Sequence, residues 1–218
     1  MKRALCLALV VACASALVAA GKPATVRLKQ EGLTLEMTFD NKSKLTLTAK
    51  PVPLAEGQYS LKAMRLIKPD DKKRAWEMQA MQDFGTIKML TVEAGQDKVI
   101  DTGEPITYDC FVWVTGKTTG AMKDVLLRIT TYGLYSEMYY PGAVLGGRRP
   151  PPPAWKVTAA DGRVFGQGQF AAPAANGVVQ ATFQAPKDYV GKVKVELVPT
   201  MGPFEWKYRG QEASLKQG

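Results

Sequence analysis

The sequence predicts an all-β protein, built as two tandem antiparallel β-sandwich domains that follow a signal peptide. Three observations predict this class. The first 20 residues have the pattern of an export signal, apolar residues then alternate with polar ones at a period of two, and turn residues interrupt these runs roughly every 8–12 residues. We expect a signal peptide over residues 1–20, a first sandwich over 21–103 and a second over 104–218.

The amino terminus has the parts of an export signal. Met1-Lys2-Arg3 is positively charged, residues 4–20 carry no charge, and small residues precede Gly21. This predicts cleavage after Ala20 and a mature protein that is secreted, periplasmic or on the cell surface. Cys13 offers an alternative, because the segment before it loosely matches the lipobox of bacterial lipoproteins. The short apolar run ahead of Cys13 favours the ordinary signal.

Period-two patterns fill the first half of the mature chain. Residues 33–39 alternate apolar side chains with threonine and glutamate, and residues 25–29 and 45–49 repeat the alternation. Turn residues separate these runs, so the three strands are predicted to form a meander. Further strand patterns continue to Ile100, and residues 101–105 are interpreted as a short linker.

The second half repeats the pattern. Residues 111–114 and 125–129 are predicted core strands, and Asp161-Gly162 predicts a hairpin. Strands over residues 178–183 and 190–197 complete the predicted second sandwich.

Two short segments resemble known β-sandwich families. Leu54, Gly57, Tyr59 and Leu61 resemble the entry to a strand in prealbumin-like sandwiches, which include carboxypeptidase regulatory-like domains and repeats of surface adhesins. The Asp161-Gly162 turn, Ala185-Pro186 and Tyr189-Val190-Gly191-Lys192-Val193, taken together, are similar to bacterial immunoglobulin-like modules. These resemblances imply an Ig-like or prealbumin-like fold and imply no activity.

The cysteine and histidine counts limit the chemistry of the mature chain. Cys6 and Cys13 leave with the signal, so Cys110 has no partner for an intramolecular disulfide and is interpreted as a buried hydrophobe. The absence of histidine excludes Ser-His-Asp and Cys-His catalysis and histidine-based metal sites. We therefore predict that the protein is not an enzyme and binds no cofactor. A hydrolase with two catalytic carboxylates is an alternative that no paired-acid motif supports.

Four tyrosines fall within nine positions of a loop bounded by glycine and proline: Tyr132, Tyr135, Tyr139 and Tyr140. Exposed aromatic rings stack on sugars or anchor a protein partner, whereas buried ones fill core and edge positions. Both interpretations are open from the sequence.

A proline run follows the tyrosine loop. Arg148-Arg149 precedes four prolines and Trp155, which predicts a stiff polyproline II segment with a cationic end. Such a segment is a ligand for an aromatic groove or a spacer. The predicted binding residues are those of the two segments together: Tyr132, Tyr135, Tyr139, Tyr140, Arg148, Arg149 and Trp155.

Metal binding is not predicted. Met78, Met81 and Met89 bring thioethers, but Met78 and Met81 face opposite sides of a strand. The acidic turn residues between positions 70 and 104 lack the spacing of a calcium loop.

The charge permits an anionic partner. Loss of Lys2 and Arg3 with the signal lowers the net charge from +9 to +7, and the remaining cations are scattered. Binding to an anionic envelope polymer is therefore open, while no specific nucleic-acid partner is predicted, because no aromatic-basic fingerprint occurs.

These observations predict an exported, non-enzymatic structural or interaction protein of the bacterial cell envelope. Its expected partners are an envelope protein or a polysaccharide, with membrane contact only through export or a lipid anchor at Cys13. The alternative function is a carbohydrate-binding module that uses an exposed tyrosine and tryptophan surface.

Overall fold

The computed structural model describes residues 23–80, 84–134, 136–140, 142–148, 152–171, 179–198 and 202–215. The predicted signal peptide, the alternative anchor at Cys13 and the predicted binding residues Tyr135 and Arg149 lie outside them. Within these ranges the chain forms β-strands and one 3₁₀ turn, Gly85–Ile87, and contains no α-helix, so the all-β prediction is confirmed. None of the described segments is a helix with the length and apolar character to cross a bilayer.

The strands are numbered in chain order. Those up to residue 100 are β1 (Ala24–Leu28), β2 (Thr34–Phe39), β3 (Lys44–Leu47), β4 (Val52–Leu54), β5 (Gly57–Pro69), β6 (Ala75–Gln79), β7 (Met89–Val92) and β8 (Asp97–Ile100). Those after it are β9 (Ile106–Thr119), β10 (Met122–Tyr132), β11 (Met138–Tyr139), β12 (Val144–Leu145), β13 (Ala154–Ala159), β14 (Val164–Gln169), β15 (Val179–Pro186), β16 (Lys192–Val198), β17 (Trp206–Arg209) and β18 (Glu212–Ser214).

These strands form several sheets. One sheet has the order β4-β1-β8, and a second has the order β12-β6-β5-β2-β3, with β7 paired to β5. A third, which we call the five-stranded sheet, has the order β11-β10-β9-β17 with β15 also paired to β10. The fourth has the order β14-β13-β16-β18. The pairs β1–β8 and β9–β17 are parallel, which corrects the prediction of a purely antiparallel protein. Both pairs join strands far apart in sequence, which no tight hairpin connects.

The predicted meander of the first three strands is wrong. Strands β2 and β3 form a hairpin, but β1 pairs with β4 and β8 in another sheet. The turn after Leu28 carries the chain across the core, and Leu28 and Leu33 are buried on either side of it. Alternation predicts which face of a strand is buried, but it does not identify the neighbouring strand.

The side chains inside the protein form two hydrophobic clusters. In the first, Val26 of β1 and Leu35 of β2 belong to one cluster although their strands lie in different sheets. In the second, Leu127 of β10 and Val195 of β16 also belong to one cluster although their strands lie in different sheets. A core shared by two sheets is typical of sandwich-like packing.

Two turn predictions agree with the structure. Asp161-Gly162 joins β13 and β14 as a hairpin, and Gly162 has a φ of +87°. Strand β5 begins at Gly57, whose φ of +148° favours glycine. The Tyr59 ring then lies 5.2 Å from the Phe39 ring, and its hydroxyl donates to the Ala55 carbonyl at 2.9 Å.

The predicted linker forms hydrogen bonds with residues from both halves of the chain. Thr102 is fully buried, and the Glu104 carboxylate accepts hydrogen bonds from Lys68 Nζ at 2.7 Å and from the backbone N–H of Glu205 at 2.5 Å. The Glu104 backbone N–H donates to Gln30 Oε1 at 2.9 Å. This segment is therefore packed against both halves of the chain.

Residues from the second half also complete the first hydrophobic cluster. Tyr139, Ala143 and Phe204 belong to that cluster, and β12 pairs with β6. The domain boundary between residues 103 and 104 stays a prediction, and the described contacts cross it.

Candidate functional site

Two of the predicted binding residues are buried. Tyr139 is 1 % exposed, and its hydroxyl donates to Glu137 Oε1 at 3.1 Å. Trp155 is 8 % exposed, and its ring lies 6.3 Å from that of Phe170 and 6.2 Å from that of Phe183. Both rings fill cores, so the described side chains do not form the single aromatic surface considered from the sequence.

The other described members of that set lie in different parts of the chain. Tyr132 ends β10 in the five-stranded sheet and is half-buried. The backbone N–H of Tyr140 donates to the Gln79 carbonyl at 3.0 Å, next to β6. Arg148 is exposed in a turn that its backbone closes with Leu145.

The end of the proline run lies against β14. The Pro153 carbonyl accepts from the Phe170 N–H at 3.1 Å, and the Pro152 carbonyl accepts from Gln169 Nε2 at 3.0 Å. These contacts favour a fixed spacer over a free ligand segment.

The five-stranded sheet exposes a group of aromatic and cationic side chains. On β9, Tyr108 and Cys110 are buried, so Phe111 and Trp113 point outward and are 43 % and 40 % exposed. We define the aromatic–cationic face by the outward residues of β9, β10 and β17: Thr107, Asp109, Phe111, Trp113, Leu126, Arg128, Lys207 and Arg209.

This face corrects part of the prediction for residues 111–114. Only Val112 and Val114 pack against the second core, while the two rings between them face solvent. The alternation is not visible in residues 111–114 because all four are apolar. Asp109 and Thr115 are polar and lie on the same side of β9 as Phe111 and Trp113, so they are the sequence signal for an exposed side.

The strand register places cations on the two strands that neighbour β9. Arg128 of β10 lies directly opposite Phe111, and Leu126 lies opposite Trp113. On the other side of β9, Arg209 of β17 lies opposite Asp109. Side chains directly opposite each other on one face of an antiparallel pair, such as Arg128 and Phe111, have Cβ atoms about 4.5–5.5 Å apart. Arg128 is therefore beside Phe111, whereas Arg209 is beside Asp109, two residues before Phe111 on β9.

The cations of this face have no partner among the described residues. The side chains of Arg128, Lys207 and Arg209 form no ion pair or hydrogen bond with a described residue. The Nε atom of Arg128 is buried and lacks an acceptor. Asp109 is the acidic residue among the eight that define the face, so three positive charges stand against one negative charge there. Asp124 lies further along the same side of β10, where it accepts a hydrogen bond from Gln184.

A cleft of about 350 Å³ opens at one end of the face. Small-molecule sites span about 300–1,000 Å³, so this cleft has the size of a single small subsite. Tyr132, a residue predicted from the sequence, lines it together with residues of the face and the following loop: Thr107, Asp109, Leu134, Lys207 and Arg209.

Strand β17 has a fixed position beside β9. The Tyr108 ring stacks on that of Trp206 at 4.7 Å, and burial followed by the neighbouring Tyr208 raises the pKa of Tyr108 well above its usual value. After β17 the chain turns at Gly210, which has a φ of +66° and whose added Cβ would lie 2.0 Å from the Cys110 carbonyl oxygen. Glycine therefore lets β17 end in close contact with β9.

Two other clefts differ in their charges. One of about 380 Å³ contains Arg65, which bonds to Glu36 at 2.7 Å and to Glu77 at 3.0 Å. Another of about 460 Å³ contains Lys194, which pairs with Glu196 at 3.3 Å. Arg65 and Lys194 therefore have carboxylate partners, unlike the three cations of the aromatic–cationic face. The other lysines that line these two clefts, Lys44, Lys156 and Lys192, form no ion pair with a described residue.

Cys110 is buried, in agreement with its interpretation from the sequence. Burial, followed by the charge of Asp109, raises the pKa of the Cys110 thiol to about 12. The thiol therefore stays protonated near neutral pH and is a poor nucleophile.

Comparisons with known proteins give no relative. No model of a protein family matches this chain, and neither a curated protein nor a solved structure matches it.

Proposed function

We propose that this chain is an exported, non-enzymatic interaction protein of the bacterial cell envelope, built from two tandem β-sandwich domains of the Ig-like or prealbumin-like kind. The observation that supports a binding role is the aromatic–cationic face. Large exposed apolar groups beside unpaired charges are typical of a recognition surface. The export signal in residues 1–20 supports the location.

Two chemical facts support a role without catalysis. The chain has no histidine, and the thiol of Cys110 is buried with its pKa raised to about 12. A nucleophile activated by histidine therefore has no basis here, and neither has the Cys110 thiol.

The second candidate function is carbohydrate binding. Phe111 and Trp113 are two residues apart on one strand, which places their Cα atoms roughly 7 Å apart on a flat face. Rings held in this way can stack on successive sugars. This candidate keeps the aromatic surface inferred from the sequence but moves it from Tyr139 and Trp155 to Phe111 and Trp113.

The test is cosedimentation of the purified protein with insoluble bacterial envelope material. Replacement of Phe111 and Trp113 together by serine is expected to remove most of the binding. The matched control replaces Val164 and Val190, which are exposed outside the aromatic–cationic face, by serine. This control variant is expected to keep the binding. Equal binding by both double variants would refute a role for the face.

The location has its own test. The full chain, expressed in a bacterium, is expected outside the cytoplasm with Gly21 as its first residue. Retention in the cytoplasm with Met1 intact would contradict export.

A further inference from the structure

We infer that the ligand of the aromatic–cationic face is an acidic polysaccharide. Its sugar rings stack on Phe111 and Trp113, and its carboxylates bind Arg128, Lys207 and Arg209. This inference rests on the proposed binding role of the face and adds the chemical class of the ligand.

The charge of the face is the first argument. Lys207 and Arg209 are exposed, two residues apart on β17, and point to the same side of the sheet. Arg128 of β10 lies opposite Phe111. These like charges repel one another, and Asp109 compensates for one of them. An anionic ligand relieves this repulsion, and arginine forms bidentate bonds with carboxylates.

The outer face of another sheet contains an arginine whose charge is compensated by carboxylates. Arg65 lies between Glu36 and Glu77, and all three are on the outer face of their sheet. Arg128 occupies the equivalent central place in the five-stranded sheet, between Phe111 and Gln180, with no carboxylate opposite it. The guanidinium group of Arg65 is thus paired with carboxylates, and that of Arg128 is not.

The arrangement of rings and charges is the second argument. The rings lie on the central strand β9, and the cations lie on the strands to either side of it. A flexible chain of sugars along β9 therefore meets Phe111 and Trp113 as a stacking surface, with Arg128 beside Phe111. At one end of the face it meets Lys207 and Arg209, which lie beside Thr107 and Asp109. A neutral sugar would leave these cations without partners, and an acidic peptide offers fewer flat rings for Phe111 and Trp113.

The test measures binding of the full-length protein to four probes at low and high salt. Polygalacturonate supplies acidic sugars, and its fully methyl-esterified form supplies the same rings without charge. Polyglutamate supplies acid without sugar, and vesicles with anionic phospholipid supply a charged membrane surface. We expect polygalacturonate to bind at least about tenfold more tightly than the other probes, with an affinity that falls as salt rises.

Two double variants show whether binding depends on the cations of this face or only on the net charge of the protein. Lys207→Gln with Arg209→Gln is expected to weaken binding to polygalacturonate about tenfold. Lys192→Gln with Lys194→Gln, which removes two exposed lysines at the same spacing on β16, is expected to change it less than about twofold. Arg128→Gln is a third variant, and unfolding curves of all variants show whether the fold is kept.

The outcomes distinguish this inference from the function on which it rests. Equal binding of both forms of polygalacturonate, abolished by Phe111→Ser with Trp113→Ser, would overturn the acidic ligand and keep a carbohydrate-binding face. Preference for polyglutamate or for vesicles would overturn the polysaccharide. Equal weakening by the β17 and β16 variants would overturn the assignment to this face. Failure to bind any probe would overturn the inference, while the envelope cosedimentation decides the proposed function independently.

Discussion

A buried carboxylate joins the two halves of the chain through hydroxyl groups. Glu137 is fully buried and accepts hydrogen bonds from Thr102 Oγ1 and from the Tyr139 hydroxyl. Burial, followed by the charge of Glu137, raises the pKa of Tyr139 well above its usual value, so its hydroxyl stays a donor. Thr102 comes from the connection between the halves, so this contact fixes their junction.

Removal of the Glu137 acceptor is expected to destabilise the protein. Glu137→Ala leaves two hydroxyl groups without an acceptor and should lower the free energy of unfolding by about 2–3 kcal/mol. Glu137→Gln keeps one acceptor oxygen and should lower the free energy of unfolding by a smaller amount. Urea denaturation measures both, with Glu196→Ala in an exposed ion pair as a control that should cost less than about 1 kcal/mol. Similar losses for Glu137→Ala and Glu196→Ala would contradict the role of the junction.

Asp70 links stability to acid pH. Burial tends to raise its pKa, but the Arg74 backbone N–H, the Trp76 indole N–H and the Arg74 guanidinium outweigh burial and hold its pKa at about 2. The unfolded carboxyl, with a pKa of 3.8, protonates first as the pH falls. Asp70 therefore stabilises the folded state above about pH 4, and this contribution is lost between about pH 4 and 2.

Asp70→Asn provides the corresponding measurement. The variant should be less stable than the wild type at neutral pH, and the difference should shrink as the pH falls towards 2. Urea denaturation at a series of pH values measures this, with the exposed neighbour Asp71→Asn as the control. A difference between Asp70→Asn and the wild type that is constant from pH 7 to pH 2 would count against the assignment.

At the scale of elements, the position of β17 depends on Gly210. Gly210→Ala places a methyl group against the Cys110 carbonyl and should destabilise by about 3 kcal/mol or more. Gly162→Ala also has a positive φ but meets no atom within 4 Å, so it should cost only about 1–2 kcal/mol. Thermal unfolding compares the stability of the two variants. Equal losses of stability would show that the contact of Gly210 with β9 is unimportant.

The sequence was sufficient to predict most strands but not their partners. The alternation in residues 33–39 and the Asp161-Gly162 turn predicted β2 and the β13–β14 hairpin because both signals are local. The parallel pairs β1–β8 and β9–β17 depend on contacts between distant segments, which no local pattern contains. The site was missed for the same reason, since the cations of β17 share a sheet face with the rings of β9 only through this long-range pairing.

Whole-molecule stability is expected to be asymmetric between the two halves. The second cluster is built from side chains between Tyr108 and Leu215, whereas the first also uses Ile106, Tyr139, Ala143 and Phe204 from beyond residue 103. A fragment of residues 104–218 should therefore unfold cooperatively, and a fragment of residues 21–103 should not. Urea titrations followed by circular dichroism test this, and cooperative unfolding of the 21–103 fragment with undiminished stability would show that the halves are independent.

The site is also a property of the whole molecule. Of the residues expected to bind, Tyr132 lies beside the aromatic–cationic face, while Tyr139 and Trp155 are in the cores. Aromatic residues in a loop look alike in sequence whether they pack inward or outward, and only the sheet register separates the two cases.

The most direct test of the central claim is the accessibility of Trp113 to a soluble quencher. Acrylamide quenching of tryptophan fluorescence is measured with and without envelope polymer, for the wild type and for Trp113→Phe. If the ligand lies on the aromatic–cationic face, the polymer will protect the wild type from quenching and will have little effect on the variant. Binding of the polymer with unchanged quenching of the wild type would contradict the claim.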